Sequence, residues 1–309
     1  MNTLEDKLKR SHKTAVSVVQ AAPVLFDKDA TICKALELLK ECNQNGSELV
    51  LFPEAFIPAY PRGLSFGTVI GSRSDSGRET WLKYWENSIE VPGNETNRLG
   101  YAAKKNKTFM VIGVIERDER SKGTLYCTML YFNKEGELIG KHRKLKPTGA
   151  ERIIWGEGDK STLTVLDTEL GKLGGLICWE NYMPMARMEM YKKGIELYLA
   201  PTADSRPTWQ STLIHIACEG RCFVLGCNQF VIKSMYPKDL PGIEDLENQP
   251  EIMCRGGSVI ISPFGEAIAG PLWDKEGILH ATLDMSQIIK GKMDFDPIGH
   301  YHRPDIFGE

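Results

Sequence analysis

Short apolar runs alternate with amphipathic segments along the chain, and this pattern predicts interleaved strands and helices. The apolar run Thr14–Pro23 predicts a first strand, and the helical spacing of apolar residues over Asp29–Asn43 predicts a helix that Gly46 ends. Ser47–Glu54 predicts a buried strand, and Glu95–Lys105 predicts a second helix, which leads into the strand TFMVIGVIER. The first third of the chain is therefore expected to alternate between β and α elements.

Strand-like runs that flank short polar turns predict two hairpins in the middle of the chain. TLYCTMLYFN and ELIGKHRKL flank the turn KEGE, and STLTVLDT and KLGGLICW flank ELGK. Beyond them, Pro184–Lys193 predicts a helix with Asn181 as its cap and Gly194 as its stop, and Trp209–Arg221 predicts another. Four further apolar runs predict strands: IELYLAP, CFVLGCNQF, GGSVIISPFG and EAIAGPLW.

Helices interleaved with strands indicate an α/β fold, and the hairpins add antiparallel pairs, so we expect mixed sheets. No repeat, low-complexity tract or linker divides the 309 residues, and we expect a single domain over residues 1–309. Two segments have no periodic pattern of apolar residues that predicts a helix or a strand. Residues 58–93 are rich in glycine, arginine and aromatic residues and are expected to line a pocket, whereas residues 233–256 are polar with three prolines.

Composition and charge exclude two classes of partner. The net charge of −3 offers no electrostatic attraction to nucleic acid or to an anionic membrane. No stretch approaches the roughly 18 unbroken apolar residues of a membrane span, and the N-terminal segment lacks the layout of a secretory signal. We therefore expect a cytoplasmic protein that binds neither nucleic acid nor membrane.

The eight cysteines allow disulfides, metal binding or thiol chemistry. In a chain without an export signal, disulfides are not expected, because the compartment keeps thiols reduced. Cys218, Cys222 and Cys227 cluster in sequence, but no CxxC pair or neighbouring histidine completes a tetrahedral metal set. We expect these three residues to be small members of the core.

Cys178 stands out because the segment GGLICWENYMP places it between an apolar strand and a helix. At such a turn, backbone N–H groups and the helix dipole favour a thiolate, and other hydrolases place their nucleophile at a similar elbow. The alternative for an arbitrary intracellular cysteine is a buried, inert thiol. Cys178 is therefore a candidate nucleophile that needs a base.

A carboxylate and a lysine at two other strand ends supply partners that the histidines do not. His215 lies within a predicted helix and His142 on a strand that looks half exposed, so neither points to a Cys–His pair. Glu54 ends the buried run LVLFPE, where desolvation raises its pKa and makes it a better base. Lys144 ends the run KHRKL. A helix-capping or salt-bridged glutamate and a solvated surface lysine are the alternatives, but together with Cys178 the two residues provide base, cation and nucleophile without a metal.

Three segments, FPEAF, KHRKLKPTGAERIIWGEGD and GGLICWENYMP, resemble the signature segments of the nitrilase superfamily. The resemblance assigns Glu54 as the base, Lys144 as the lysine, Cys178 as the nucleophile and Glu151 as the second glutamate. PTADSRPTW, AGPLW and DFDPIGHYHRP resemble the plant-type branch of true nitrilases, and the likeness extends over nearly the whole chain.

The resemblance implies a four-layer αββα sandwich and hydrolysis of an organic nitrile through a thioimidate and an acyl-enzyme on Cys178. The reactants are the nitrile and water, the products a carboxylic acid and ammonia with some amide, and no metal or organic cofactor is required. A backbone N–H near Trp179 is expected to help stabilise developing charge. We predict Tyr60, Trp179 and Trp209 as residues of the substrate pocket.

The residues that follow Cys178 favour the nitrile-hydrolysing branch, because amidase branches usually carry an acidic residue or asparagine and then an arginine there. An amidase that uses the same residues and a catalytically silent scaffold are the alternatives. The aromatic segment 58–93 suits arylacetonitriles, whereas Arg62 or Arg73 suits the carboxylate of a 3-cyanoalanine-like nitrile.

The chain departs from the family pattern at two places. Ala150 precedes Glu151 where other nitrilases often carry histidine, which we interpret as a trait of the subgroup. Few residues follow Pro304, whereas the family often has a tail that contributes to spiral filaments. We therefore expect a homodimer or higher homo-oligomer rather than long filaments.

Overall fold

The computed structural model describes residues 13–308. Residues 1–12 and 309 lie outside the described residues, and with them lie the N-terminal segment considered as a signal and His12, one of the histidines considered as a base. The strands, in chain order, are β1 (Lys13–Gln20), β2 (Leu49–Leu51), β3 (Thr68–Val69), β4 (Ser72–Arg73), β5 (Phe109–Arg117), β6 (Leu125–Phe132), β7 (Leu138–Arg143), β8 (Val165–Thr168), β9 (Gly171–Gly175), β10 (Leu197–Pro201), β11 (Phe223–Cys227), β12 (Phe230–Ile232), β13 (Ile252–Ile261), β14 (Ala267–Trp273) and β15 (Gly277–Asp284). The α-helices are α1 (Lys28–Gln44), α2 (Asp75–Asn87), α3 (Asn94–Asn106), α4 (Pro184–Lys192), α5 (Thr208–Gly220), α6 (Ser286–Asp294) and α7 (Pro304–Phe307).

The first large sheet is mixed and has the strand order β15-β1-β2-β5-β6-β7. β1, β2 and β5 are parallel neighbours, with Val16 opposite Leu49 and Leu49 opposite Phe109. β5, β6 and β7 form an antiparallel meander, and β15 is antiparallel to β1. Two successive antiparallel pairings from β5 bring β7 back to the direction of β2, so the carboxyl ends of β2 and β7 lie at the same edge of the sheet.

The second large sheet is also mixed, with the order β12-β13-β11-β10-β9-β8, and β14 pairs with β13. β9, β10 and β11 are parallel, whereas β8 and β13 run antiparallel to their neighbours. The β6–β7 and β8–β9 pairs are the two hairpins predicted from the sequence. The prediction of mixed sheets is confirmed.

The packing of buried side chains shows four layers. One core lies between the two sheets and joins residues such as Val18 and Val111 to Leu199 and Leu225. A second core packs α1 and α3 against the outer face of the first sheet, and a third packs α4 and α5 against the outer face of the second. This αββα arrangement is the predicted architecture, and it places the space between the sheets at the centre of the molecule.

The structure corrects several predictions of local structure. Residues 58–93, predicted as irregular, contain α2, which Ser74 caps. Three of its residues are buried, so its apolar periodicity is weak. The pattern also missed β15 and α6, whose residues are largely half-exposed. The run 47–54 forms a strand only over Leu49–Leu51.

Finally, no helix within residues 13–308 is long and apolar enough to cross a membrane.

Candidate active site

The four predicted catalytic residues meet where strands of both sheets end. Glu54 follows β2 and Lys144 follows β7 in the first sheet, while Cys178 follows β9 in the second. Glu151 lies in a short 3-10 helix, Gly149–Ile153, that comes soon after Lys144. Because the two sheets face one another, residues separated by more than a hundred positions converge at one point.

The absence of a side chain at Gly113 of β5 allows the backbone of the Pro53–Ala55 segment, which includes Glu54, to pack closely against this strand. A Cβ atom at Gly113 would stand 2.3 Å from the carbonyl oxygen of Pro53, so a larger residue would push this segment away. The backbone of Gly113 also donates to Pro53 and accepts from Phe56. The neighbouring Ala55 has a φ of +46°, a conformation that costs a non-glycine residue energy and often marks a functional site.

Lys144 is a buried cation held between two carboxylates. Its Nζ lies 2.7 Å from Oε1 of Glu54 and 2.8 Å from Oε2 of Glu151, and its side chain has no exposed surface. Burial acts to lower the pKa of Lys144, but the charges of Glu54 and Glu151 hold that pKa well above its ordinary value. Lys144 is therefore a permanent positive charge in the site and not a base.

The two glutamates differ in how their oxygens are used. Oε2 of Glu151 accepts from Lys144 and, at 2.6 Å, from the backbone N–H of Thr148, while Oε1 accepts from the Tyr60 hydroxyl at 2.8 Å. In Glu54, Oε1 accepts from Lys144, but Oε2 is buried without a hydrogen-bond partner. Glu54 is thus the carboxylate with an oxygen free to take a proton.

Burial raises the pKa of Glu54 above its ordinary value, although the Lys144 charge acts in the opposite direction. The thiol of Cys178 is close enough to lower this pKa as well. A carboxylate with a raised pKa and an open oxygen is suited to general-base catalysis. The prediction that desolvation raises the pKa of Glu54 is confirmed.

Cys178 sits at a sharp turn that its neighbours stabilise. Its φ is +52°, and the side-chain amide of Asn181 donates to the carbonyl groups of Leu176 and Cys178 at 2.9 and 2.8 Å. The hydroxyl of Thr202 donates to the Cys178 sulfur at 3.1 Å. Asn181 therefore closes the turn, and its predicted role as the cap of α4 is wrong, because the N-cap position is Met183.

The free site does not hold Cys178 as a thiolate. Burial raises the pKa of Cys178 to about 12, and the Glu54 carboxylate adds to the rise. The prediction that a helix dipole favours the thiolate is wrong, because the turn after Cys178 is a short 3-10 helix (Cys178–Tyr182) and burial outweighs it. Attack by this sulfur therefore requires a base to remove the proton during the reaction.

A cavity of about 210 Å³ opens onto Cys178. Its wall includes Tyr60 and Trp179, as predicted for the pocket, together with Arg62. Trp209, also predicted there, is buried in the core under α5 and contacts the ring of Tyr182 edge to face. Its position in the helix directs the indole toward the sheet, so it does not line this cavity.

A second cavity of about 350 Å³ adjoins the first, because Tyr60, Arg62 and Glu151 line both. Segment 58–93 contributes much of its wall, including Phe66, which agrees with the prediction that this segment lines a pocket. Arg73 lies elsewhere, in a cavity that Cys178 does not line. Of the two arginines considered for a carboxylate, only Arg62 faces the candidate nucleophile's cavity.

Comparison with known proteins identifies the family. The sequence profile named carbon-nitrogen hydrolase matches residues 15–292. The chain belongs to the carbon-nitrogen hydrolase family. A bifunctional nitrilase/nitrile hydratase of Nicotiana tabacum is 52% identical over 294 residues, which cover 94% of this chain and 83% of that protein. An aliphatic nitrilase of Sinorhizobium fredii is 49% identical over 295 residues, covering 96% of this chain and 94% of that protein.

A solved structure supports the fold of this carbon-nitrogen hydrolase. The carbon-nitrogen hydrolase of Helicobacter pylori G27 superposes with a TM-score of 0.75 at 21% identity, covering 96% of this chain and 97% of that chain. The predicted resemblance to the nitrilase superfamily and the predicted fold class are therefore both confirmed. Within residues 13–308, no group of side chains has the composition of a metal site.

Two residues of this carbon-nitrogen hydrolase were missed in the sequence. Glu180 has a fully buried carboxylate that accepts from the backbone N–H groups of Leu145 and Ile177 at 2.7 and 2.6 Å, next to Lys144 and Cys178. It also contacts His142 at 2.9 Å. His142 itself is completely buried, although the other residues of its strand β7 are half-buried, as predicted. The acid two positions after the cysteine was the available signal for Glu180.

The second missed residue is Cys127, on β6. Its Sγ lies 3.6 Å from Oε1 of Glu54, and its carbonyl oxygen accepts the backbone N–H of Lys144 at 2.8 Å. A single cysteine within an apolar strand carries no pattern that marks it in the sequence.

Glu180→Ala is expected to destabilise the fold by about 3–5 kcal/mol, because it leaves two backbone N–H groups and His142 without their buried partner. Burial acts to lower the pKa of His142, but Glu180 raises it overall. A raised histidine pKa stabilises the fold below the unfolded pKa, and this stability is lost as pH rises through the folded pKa. Urea unfolding should therefore show a larger defect near about pH 6 than near about pH 9. Equal defects at both would contradict a charged His142.

Proposed function

We propose that this carbon-nitrogen hydrolase is a nitrilase that converts an organic nitrile and two waters into a carboxylic acid and ammonia. The observation that carries the proposal is the free, buried Oε2 of Glu54 beside the thiol of Cys178, which lines a cavity together with Glu151. Relatives named as nitrilases, at about half identity over most of the chain, support nitriles as the substrate class.

In the first step, Glu54 takes the proton of Cys178 while the sulfur attacks the nitrile carbon. The proton passes to the nitrile nitrogen, which gives a thioimidate bound to the enzyme. The charge that develops on nitrogen is stabilised by the Lys144 ammonium and by a backbone N–H near Trp179. Glu54 is left as a carboxylate, ready to act again.

In the second step, Glu54 activates a water that adds to the thioimidate carbon. Glu54 passes the first water proton to the nitrogen, which gives a tetrahedral intermediate with an amino and a hydroxyl group. When the C–N bond breaks, Glu54 carries the hydroxyl proton to the nitrogen, so ammonia leaves and a thioester carbonyl remains. A second water then cleaves the thioester, which releases the carboxylic acid and the thiol. When the C–S bond breaks first, the amide leaves instead, so one intermediate sets the ratio of acid to amide.

Glu151 is assigned a positioning role, because its three hydrogen bonds hold Lys144 and Tyr60 and leave it no open oxygen. Glu151→Gln is expected to lower kcat by about 10- to 100-fold. This fall is smaller than the fall expected when a general base is removed, which is about 100- to 10,000-fold. Steady-state kinetics on the best nitrile test this. A rate equal to that of the wild type would remove Glu151 from the mechanism.

The cavity at Cys178 supports a small nitrile, and two candidate classes follow from its wall. Tyr60 and Trp179 offer aromatic faces for an arylacetonitrile. Arg62, whose guanidinium donates to the carbonyl of Ala203 and lies 5.3 Å from the Tyr60 ring centroid, offers a charge partner for the carboxylate of a 3-cyanoalanine-like nitrile.

A nitrile panel tests the proposal. Purified enzyme is given arylacetonitriles, aliphatic nitriles and amino-acid nitriles, with ammonia, acid and amide measured separately. Turnover of at least one nitrile with Cys178-dependent ammonia release is the expected result. Activity on carboxamides with none on nitriles would select the amidase alternative. No turnover of either, together with an unreactive Cys178, would favour the silent scaffold.

Assembly and location are further parts of the proposal. We infer a homodimer or higher homo-oligomer, as the resemblance to the nitrilase superfamily implies. Light scattering coupled to size exclusion measures the mass directly. The cytoplasmic location and the single-domain organisation stay predictions.

A further inference from the structure

Cys127 is a second thiol beside the proposed base, and the mechanism above does not use it. Its side chain is 1% exposed, and it is absent from the wall of the Cys178 cavity. Through its carbonyl oxygen it holds the backbone of Lys144, and through its sulfur it reaches Oε1 of Glu54. One residue therefore contacts both the proposed base and its cation.

At this position the Cys127 thiol can act only as a hydrogen-bond donor. Burial raises the pKa of Cys127 well above its ordinary value, and the Glu54 charge adds to the rise, so the group is a neutral S–H. A thiol is a weak donor, and Oε1 of Glu54 is the acceptor within reach. Oε1 thus receives two donors, Lys144 at 2.7 Å and Cys127 at 3.6 Å, whereas Oε2 receives none.

This asymmetry matters because the two oxygens of a carboxylate are chemically equal. Rotation about the last side-chain torsion exchanges them, and this torsion is soft in glutamate. Lys144 alone could donate its hydrogen bond to either oxygen. A second donor, Cys127 on β6, fixes the plane of the carboxylate, so that one oxygen faces Lys144 and Cys127 and the other, Oε2, is left open for the Cys178 proton.

We propose that Cys127 is a positioning residue that orients the carboxylate of Glu54, so that Oε1 is occupied and Oε2 accepts the proton of Cys178. The inference rests on the proposed function in one respect, since it takes Glu54 as the base. A weak donor suits this task, because a strong one would stabilise the carboxylate further and make it a poorer base.

Several groups act on Glu54 and must be considered with Cys127. Lys144 at the end of β7 and the thiol of Cys178 after β9 lower the pKa of Glu54, while Glu151 raises it. Gln229 donates to the backbone oxygen of Glu54, not to its carboxylate. The titratable and charged groups that surround the carboxylate are Lys144, Glu151, Cys178, Cys127 and Tyr60.

The test compares Cys127→Ala, which removes the donor, with Cys127→Ser, which keeps one. Loss of the Cys127 hydrogen bond to the Glu54 carboxylate raises the pKa of Glu54. As the solution is acidified, the variant should therefore lose activity at a higher pH than the wild type does. For Cys127→Ala we expect the acidic limb of kcat/KM to move up by about half a pKa unit, with kcat lowered by about 3- to 10-fold and KM unchanged. For Cys127→Ser the limb should stay at or below the wild-type value.

The pH dependence of Cys178 alkylation by iodoacetamide, located by peptide mass spectrometry, provides a second measurement. It needs no nitrile turnover, so the same shift in Cys127→Ala would support the inference even if the proposed substrate class failed. Cys222→Ala is the matched control, because Cys222 is equally buried but belongs to the core under the helices of the second sheet. This variant should lose thermal stability without moving either acidic limb.

The inference is overturned if the acidic limbs of Cys127→Ala coincide with those of the wild type in both assays while its melting temperature falls as in Cys222→Ala. Cys127 would then be a packing residue only. Equal shifts in Cys127→Ala and Cys127→Ser would also overturn it, because they would show that the donor is irrelevant.

Discussion

Replacing Cys178 with alanine is expected to lower ammonia release from a nitrile by about four orders of magnitude or more, because the atom that forms the covalent intermediate is gone. Cys178→Ser should be nearly as inactive. Its hydroxyl is harder to deprotonate than the thiol, and the shorter C–O bond withdraws the atom from both the nitrile and Glu54. The fold should be retained in both, since each change removes or replaces a single heavy atom at a side chain that lines a cavity.

The measurement follows full progress curves, in which ammonia, acid and amide are quantified separately. Cys33→Ala is the matched control, because Cys33 is an exposed thiol on α1, remote from the site, and its loss should leave the rate unchanged. Intact-mass analysis during turnover should show an acyl adduct on the wild type and none on Cys178→Ala. Ammonia release by either Cys178 variant near the wild-type rate would disprove the nucleophile assignment.

Lys144→Met is expected to have the second largest effect, acting on both activity and stability. It leaves Glu54 and Glu151 in the interior without the cation that lies 2.7 and 2.8 Å from their oxygens. Removing one member of a buried ionic group costs about 3–5 kcal/mol. Activity should fall by about 1,000-fold, because the charge that stabilises the transition state is lost and the proton affinity of the base is changed.

The pH dependence of the stability of Lys144→Met follows from the two carboxyl groups. Without Lys144, burial and the neighbouring Glu151 raise the pKa of Glu54 in the folded state further above its unfolded value. Such groups stabilise the fold below the unfolded pKa, and this stability is lost as pH rises through the folded pKa. The defect relative to the wild type should therefore be smallest near about pH 4 and largest near about pH 8.

A double variant separates the two effects. Lys144→Met with Glu151→Gln removes one of the two charges, so urea unfolding at neutral pH should show part of the stability restored. The activity should not return, because the cation is still missing. If Lys144→Met alone unfolded with the wild-type midpoint at neutral pH, the three groups would not form the charged cluster described above.

Much of the fold follows from periodicity that is visible in the chain. The hairpin β6–β7 was predictable because β6 is long and apolar, β7 begins with apolar residues, and the turn between them contains glycine. By contrast, α2 was not, because the face that it buries is small and holds glycine and threonine beside Tyr84. Local patterns report an element only when its buried face is apolar and regular.

The site was predictable to the extent that its residues are contiguous with long motifs. Glu54, Lys144 and Cys178 each follow a strand within a signature segment, and the structure brings them together with Glu151. Trp209 shows the limit of this reasoning, since its motif lies in the right segment but its side chain points into the core. A linear motif identifies a neighbourhood and does not give the direction of each side chain.

The order of residues along the chain was sufficient to predict mixed sheets, the set of groups available for chemistry and the family resemblance that implied the αββα architecture, because these depend on patterns within short segments. Which oxygen of Glu54 is open, whether Cys178 is a thiolate, and that Cys127 and Glu180 contact the site all depend on contacts between strands distant in sequence. Burial and the placement of charges set those properties. They come into existence only when the two sheets close on one another and exclude water from the space between them.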